Sequence, residues 1–247
     1  MKPRHLLIIL SLSLFIFPSS SLAECKEVKP EIKIDKDGNQ VEHGLEVKCF
    51  MESKGKWKDG KKDGKWTTWY DNGKKSSEQS WKDGKKHGKM NIWHENGKKK
   101  TVSSYKDGKE HGKFNVWHDN GKKWMEGLDK DGKEHGKRTR WYENGMKEVE
   151  SHYKNGNWHG KSTTWYESGK KKWEKNYKDG KKHGKWTFWW EDGMKWREEY
   201  YKDGKQHGKW TEWHDNGKKK WEQNYKDGVF VGEWTTRWNK DGKKTSR

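Results

Sequence analysis

The stretch that decides the fold is Tyr177-Lys178-Asp179-Gly180-Lys181-Lys182-His183-Gly184-Lys185-Trp186-Thr187-Phe188-Trp189-Trp190-Glu191-Asp192-Gly193. It carries two turn marks. The first is Asp179-Gly180, followed four residues later by His183-Gly184. The second is Asp192-Gly193. Both recur in steps of 24 residues. The first glycine falls at Gly60, Gly84, Gly108, Gly132, Gly156, Gly180, Gly204 and Gly228, and the second mark at Gly73, Gly97, Gly121, Gly145, Gly169, Gly193 and Gly217. In the eighth unit the second mark slips to Gly242. A fixed period with two turns in it is the signature of a repeat array. Asp-Gly and Asn-Gly suit tight hairpin turns, because glycine has no Cβ to clash at positive φ. The spacing leaves room for strands of about 5–8 residues. Those segments carry Trp, Tyr and Thr, which favour a pleated surface, and alanine is absent after Ala23. The expected fold is all-β: an elongated array of about eight 24-residue antiparallel β-hairpin repeats spanning 57–247.

Upstream the pattern changes. Met1 to Ala23 has a basic start (Lys2, Arg4), an apolar run from Leu6 to Phe17, a break at Pro18 and small residues at Ser21 and Ala23. It reads as a signal peptide, 1–23. Its twelve apolar residues fall short of the ~20 that a spanning helix needs. The mature chain is then exported: periplasmic, at the cell surface or secreted. Leu22-Ala23-Glu24-Cys25 offers a lipid-attachment alternative, although Glu24 stands where a small residue is usual. Residues 24–56 are richer in aliphatic side chains and read as an N-terminal cap that closes the first edge of the array. Cys25 and Cys49 are the only cysteines. Export permits a disulfide between them, with lipidation of Cys25 as the alternative.

Hydrophobic residues make up 27% of the chain and charged residues 38%. Those proportions alone would place it among disordered chains. The phase of the aromatics argues for a fold instead. Trp69, Trp93, Trp117, Trp141, Trp165, Trp189 and Trp213 form one column. Trp57, Trp81, Tyr105, Tyr153, Tyr177, Tyr201 and Tyr225 form a second, broken by Asp129, and Trp66, Met90, Phe114, Trp186, Trp210 and Trp234 a third, broken by Arg138 and Ser162. The expectation is that neighbours in a column stack like on like across strands. Trp66 and Trp69 are three apart, so either both faces carry aromatics or a bulge re-aims one ring.

The recurrent histidines (His87, His111 and their equivalents) lie two strands apart from unit to unit, about 10 Å. That is too far to share a metal whose ligands lie ~2 Å from it, so they read as turn residues and no metal or cofactor is expected. The acids sit in or beside turns, where Asp caps its own backbone. No nucleophile set, phosphate loop or dinucleotide motif stands out, and no catalytic residue is assigned. The formal charge is +19, or +17 once Lys2 and Arg4 leave with the signal. It is spread along the array, so the rod presents a repeated cationic field suited to multivalent contact with polyanions. Export makes nucleic acid an improbable physiological target. The candidate binding residues are Trp69, Trp93, Trp117, Trp141, Trp165, Trp189 and Trp213 with Lys75, Lys99, Lys123, Lys171 and Lys219.

The repeated Tyr-Lys-Asp-Gly-Lys-x-His-Gly-Lys-Trp-x-x-Trp-x-x-Asn-Gly-Lys, followed by a Glu such as Glu78, Glu126, Glu150, Glu174, Glu198 or Glu222, resembles the MORN-repeat variant, also called the YwqK-type antitoxin family. The resemblance covers about residues 57–247. It implies an elongated hairpin array with roles in protein contacts and membrane or phospholipid association, and the antitoxin label implies a toxin partner. One departure stands out: family repeats often carry an apolar residue two after the Asn-Gly glycine, where this chain has lysine throughout. The apolar role is expected to move to neighbours such as Trp124, Trp173, Trp196 and Trp221. The expected function is an exported, non-enzymatic binding or scaffold module at the cell envelope. Its partners would be a protein, an anionic polymer or a lipid, with peripheral membrane contact. The alternative is an antitoxin- or immunity-like protein dedicated to one protein partner.

Overall fold

The computed structural model describes residues 25–26, 32–34, 40–42, 48–49, 53–232 and 235–246. The expected signal peptide and most of the expected cap lie outside them. Within the cap, Cys25–Lys26 pairs antiparallel with Lys48–Cys49, and the register places Cys25 opposite Cys49. Ile32–Ile34 pairs with Gln40–Glu42.

From Ser53 onward, eight antiparallel hairpins follow one another. In the first, Ser53–Lys58 pairs with Lys61–Trp69 across Asp59-Gly60. In the second, Lys75–Lys82 pairs with Lys85–Trp93 across Asp83-Gly84. The eighth is built from Lys219–Lys226, Val229–Phe230 and Thr236–Trp238, and Lys244–Ser246 adds the last strand. Each hairpin also pairs with the next, giving one meandering antiparallel sheet. Among the described residues no pairing returns from Lys244–Ser246 to Ser53–Lys58, so the sheet is open.

The turns form for the reason their residues give. Asp59, Asp83, Asp107, Asp131, Asn155, Asp179, Asp203 and Asp227 all have φ between 48° and 53°, and a positive-φ glycine follows each. Two successive left-handed residues make the type I′ turn, whose twist matches the flanking strands. The second mark makes a wider loop. The Gly73 amide donates to the Tyr70 carbonyl (2.9 Å), the Tyr70 amide to the Lys74 carbonyl (2.8 Å), and the Lys74 amide to Asn72 Oδ1 (3.0 Å). Behind this loop the register slips: Thr68 faces Ser77 but Trp69 faces Lys75, leaving Ser76 as a bulge. Equivalent slips recur in each later unit, for example at Thr164/Trp165 and Glu212/Trp213.

Period-2 alternation then sorts the side chains. One face, the ladder face, carries the second and third aromatic columns. The other, the lysine face, carries Trp69 and its equivalents. Both faces therefore bear aromatics, which answers the question that the Trp66/Trp69 spacing raises. The sheet is one layer thick. Its largest fully buried side chains are Thr139 and Ser162, and its buried hydrophobic residues are Trp66, Phe114, Trp186, Tyr201 and Trp210.

Cohesion comes from contacts between neighbouring strands. On the ladder face, ring follows ring from Tyr153 to Trp158, Tyr177, Trp186, Tyr201, Trp210 and Tyr225, with centroids 4.8–5.4 Å apart. This corrects the like-on-like expectation. Adjacent rings come from different columns, because the strand carrying each tyrosine lies between two strands that carry tryptophans. Tilted pairs at these distances each contribute ~0.5–1.5 kcal/mol beyond their buried area. Trp158 is a compensating exchange. Ser162 occupies the place that Trp186 holds in the next unit, and the ring supplied from position 158 fills the gap between Tyr153 and Tyr177.

Both edges of the array are also tied from unit to unit. From Gly84 onward the amide of each hairpin-turn glycine donates to a carbonyl in the preceding unit, as Gly84 does to Lys62 (2.9 Å) and Gly204 to Lys182 (2.8 Å). At the other edge Tyr70, Tyr142 and Tyr166 donate their hydroxyls to the carbonyls of Trp93, Trp165 and Trp189. Asn72, Asn96, Asn144 and Asn216 reach carbonyls of the following loop.

Candidate functional site

The candidate binding residues come together on the lysine face. Each tryptophan of the first column is the register partner of the lysine that opens the next strand: Trp69 with Lys75, Trp93 with Lys99, Trp117 with Lys123, Trp141 with Lys147, Trp165 with Lys171, Trp189 with Lys195, and Trp213 with Lys219. The bulge produces this arrangement. It lets the loop close while the tryptophan and the lysine stay on the same side of the sheet.

The two columns interleave across units. Lys123 lies over the Trp141 ring (5.5 Å), Lys147 over Trp165 (5.7 Å), Lys171 over Trp189 (5.6 Å) and Lys219 over Trp238 (5.6 Å). Each contact is of cation–π type, ~0.5–1 kcal/mol at an exposed site. The same lysines reach the glutamate three residues on, as Lys171 does to Glu174 (2.9 Å) and Lys219 to Glu222 (2.8 Å). A second lysine approaches each of these glutamates except Glu126 from the opposite strand, as Lys65 does Glu78 (3.1 Å), Lys161 Glu174 (3.3 Å) and Lys209 Glu222 (3.1 Å).

Charge therefore does not balance on this face. The two lysine columns hold seven lysines each: 65, 89, 113, 137, 161, 185 and 209, and 75, 99, 123, 147, 171, 195 and 219. The acid column holds six glutamates, since Val102 stands in the seventh place. Fourteen cations less six anions leaves +8 along these columns. The lysines are about half exposed, while the glutamates between them are about four-fifths covered. For Glu78, Glu174 and Glu222, burial alone would raise the carboxyl pKa, but the paired lysines outweigh it and hold each carboxyl below its ordinary value. For Glu150 the hydrogen bond from Lys147 leads, against burial, in the same direction.

The lysine that replaces the expected apolar residue thus serves this face. Of the neighbours expected to take the apolar role, Trp221 and Trp196 pack against other Trp, Tyr or Phe rings and Trp124 does not. Trp221 packs against the cluster of Trp186, Tyr201 and Trp210, and Trp196 stacks on Phe188 (5.4 Å). Trp124 is 38% exposed and lies 6.1 Å from the His118 ring.

The recurrent histidines link turns. His87, His111, His159, His183 and His207 approach, through Nδ1, the aspartates of the next unit's hairpin (Asp107, Asp131, Asp179, Asp203 and Asp227) at 3.0–3.5 Å. Among the described residues no group of three or more His, Cys, Asp or Glu is placed to hold a metal ion.

One feature escapes column-by-column reading. On the ladder face, the row that reads ring, lysine, ring, lysine at one end reads Tyr105, Glu110, Asp129, Glu134, Tyr153 in the middle, as the register shows. Asp129 and Arg138 are visible as breaks in aromatic columns. Glu110 and Glu134 show only when Lys62, Lys86 and Lys182 are read as a column of their own.

No curated protein matches the chain. A family does, in six segments of 22 residues: 62–83, 86–107, 134–155, 158–179, 182–203 and 206–227. They keep the 24-residue step and omit one unit between 107 and 134. Together they cover 132 of the 247 residues, and with the hairpins, bulges and turns described above they show that the chain belongs to the MORN repeat variant family.

Proposed function

We propose that the protein is an exported, non-enzymatic binding module of the cell envelope, and that its lysine face makes multivalent contact with anionic polymers or lipid headgroups. MORN repeats generally mediate binding to proteins or membrane lipids. The observation that carries the finer reading is the charge pattern. Two half-exposed lysine columns flank a covered glutamate column at a ratio of fourteen to six, beside a column of tryptophans. A glutamate can neutralise only one of its two lysines, so each unit offers about one free cation per pair of strands, roughly 10 Å apart. Such a face gains avidity because each contact raises the effective concentration for the next. The features of 1–23 support export.

Binding of the full mature chain to anionic vesicles and to lipopolysaccharide, measured by co-sedimentation from about 0.05 to 0.5 M salt, tests this reading. Affinity is expected to fall steadily with salt, and to fall by a further step when one internal 24-residue unit is deleted. Binding that is unchanged across the salt range would overturn it. A single stoichiometric protein partner whose capture ignores salt would favour the dedicated-partner alternative.

A further inference from the structure

The ladder face is cohesive at its C-terminal end and interrupted at its centre. In the first, second and sixth hairpins an ammonium group caps the rings: Lys62 lies over Trp66 (4.2 Å) and Trp81 (5.1 Å), Lys86 over Tyr105 (5.0 Å), and Lys182 over Trp186 (4.5 Å) and Tyr201 (4.6 Å). In the third and fourth hairpins that lysine is replaced by Glu110 and Glu134, and the ring between them by Asp129. The tryptophan of the next row is replaced by Arg138, and Gly127 leaves the position beside Phe114 without a side chain.

The result is a cleft of about 270 Å³ whose lining includes Met90, Tyr105, Glu110, Phe114, Met125 and Asp129. Arg138 and Met125 separate it from a second cleft of about 310 Å³ that reaches Val149 and Trp158. The charges do not cancel. Arg138 pairs with Glu134 and lies over the Phe114 ring (4.9 Å), which occupies one carboxylate of the three. Among the described residues Glu110 accepts one side-chain hydrogen bond, from the Tyr105 hydroxyl (3.2 Å). Asp129 is 8% exposed, and no hydrogen-bond donor among the described residues reaches its carboxylate. Its oxygens open onto the cleft, so the carboxylate is desolvated in part and free to meet a ligand there. Burial raises its pKa, with Arg138 opposing and Glu110 adding to the rise. The remaining groups are net negative in a chain of charge +19.

We propose that this interruption is a binding site for an organic ammonium ion with a short apolar chain. The ammonium group takes the place of the missing ladder lysine between Asp129 and Glu110, above Tyr105 and Phe114. The chain lies along Met90, Ile92 and Val116. The geometry disfavours a metal ion, since the three carboxylates stand side by side across successive strands and do not converge on one point. An ammonium group instead satisfies Asp129 with charge-assisted hydrogen bonds and the rings with a cation–π contact. The family match omits residues 108–133, which hold Glu110, Gly127 and Asp129.

The test is titration calorimetry of the full chain with hexylammonium chloride, alongside 1-hexanol and calcium chloride. The expected result is one saturable site per chain for hexylammonium and none for hexanol or calcium. D129N and E110Q are each expected to weaken binding about tenfold or more, the worth of a charge-assisted contact, while E95Q in an exposed loop leaves it unchanged. Equal binding of hexanol, several equivalents per chain, stoichiometric calcium uptake, or undiminished affinity in D129N would each overturn the proposal. The double variant D129Y/E110K guards against a folding failure. It restores the ladder's own ring and lysine, so it is expected to unfold at higher urea and to bind no hexylammonium. Binding retained in that variant would refute the site.

Discussion

Trp158→Ala is the sharpest single test of how this sheet coheres. Trp158 stands between Tyr153 (centroid distance 5.4 Å) and Tyr177 (4.8 Å), and shelters a serine pair that hydrogen-bonds at 2.7 Å, with Ser151 2% and Ser162 0% exposed. Truncation removes two aromatic contacts, worth ~1–3 kcal/mol together. It also loses part of the transfer energy of an indole, for which full-core truncations cost ~3–5 kcal/mol. Because the ring is only partly buried, the expected loss is about 3 kcal/mol. In a repeat array stability is close to a sum of unit and neighbour terms, so the loss should be local. Urea unfolding gives the total, and hydrogen exchange gives its location: protection should fall in the hairpins at Asn155-Gly156 and Asp179-Gly180 and persist near Asp59-Gly60. The rescue is specific. W158K/S162W moves the ring back to the position it has in the next unit, and should regain most of the loss. A cost below about 1 kcal/mol, or a double variant no better than the single, would refute the ladder as the source of cohesion.

Three further outcomes follow from the same geometry. Gly127→Ala would place a Cβ 2.7 Å from the Phe114 ring, and overpacking of that kind costs ~1–3 kcal/mol, readable as a lower urea midpoint. Glu78, Glu150, Glu174 and Glu222 have folded pKa values depressed below 4.5. Their contribution should be complete above the unfolded carboxylate range and should disappear as pH falls through the folded values. Thermal unfolding from neutral to acid pH should show this loss, and Glu174→Gln should reduce it. Cys25 and Cys49 are register partners, and directly opposed residues have Cα separations that a disulfide can span. A thiol assay on the denatured, unreduced protein, produced in an oxidising compartment, should find no free cysteine. Two free thiols would refute the pairing.

The fold was legible because its determinants are local and repeated. Asp179-Gly180 specifies a turn by its own backbone preferences, and eight copies in phase leave little freedom for anything but hairpins. The two-sided distribution of aromatics was not decidable, since it hangs on whether Ser76 or Trp69 takes up the extra residue in the loop, and Trp-x-x-Trp is compatible with either. The bulge falls after the loop, opposite Trp69, in residues that are chemically ordinary. Ring order is hidden in the sequence for a related reason: columns are 24 apart, but the nearest ring in space belongs to the intervening strand. Trp158 shows the limit most clearly. In the sequence Ser162 is a missing aromatic, and only the sheet shows that a ring four residues earlier fills the same space.

A one-layer sheet divides the work between its faces in a way that a globular domain does not. With no interior, cohesion must come from side chains lying flat against their neighbours, and the ladder face supplies it through rings whose replacement is costly. The lysine face contributes less to stability per residue, because exposed ion pairs are worth ~0–1 kcal/mol. Substitutions there are expected to cost the fold little, so those columns can vary more freely than the rings. The ladder face has no such freedom, and that makes its interruption at Asp129 informative. Three successive carboxylates stand in the ring-and-lysine row at the centre of the array, and Arg138 pairs with only one of them, Glu134. A departure that gives up a ladder ring and gathers Asp129 and Glu110 on one cleft is what the proposed ammonium ion would account for. It is not accounted for by the packing of the sheet itself.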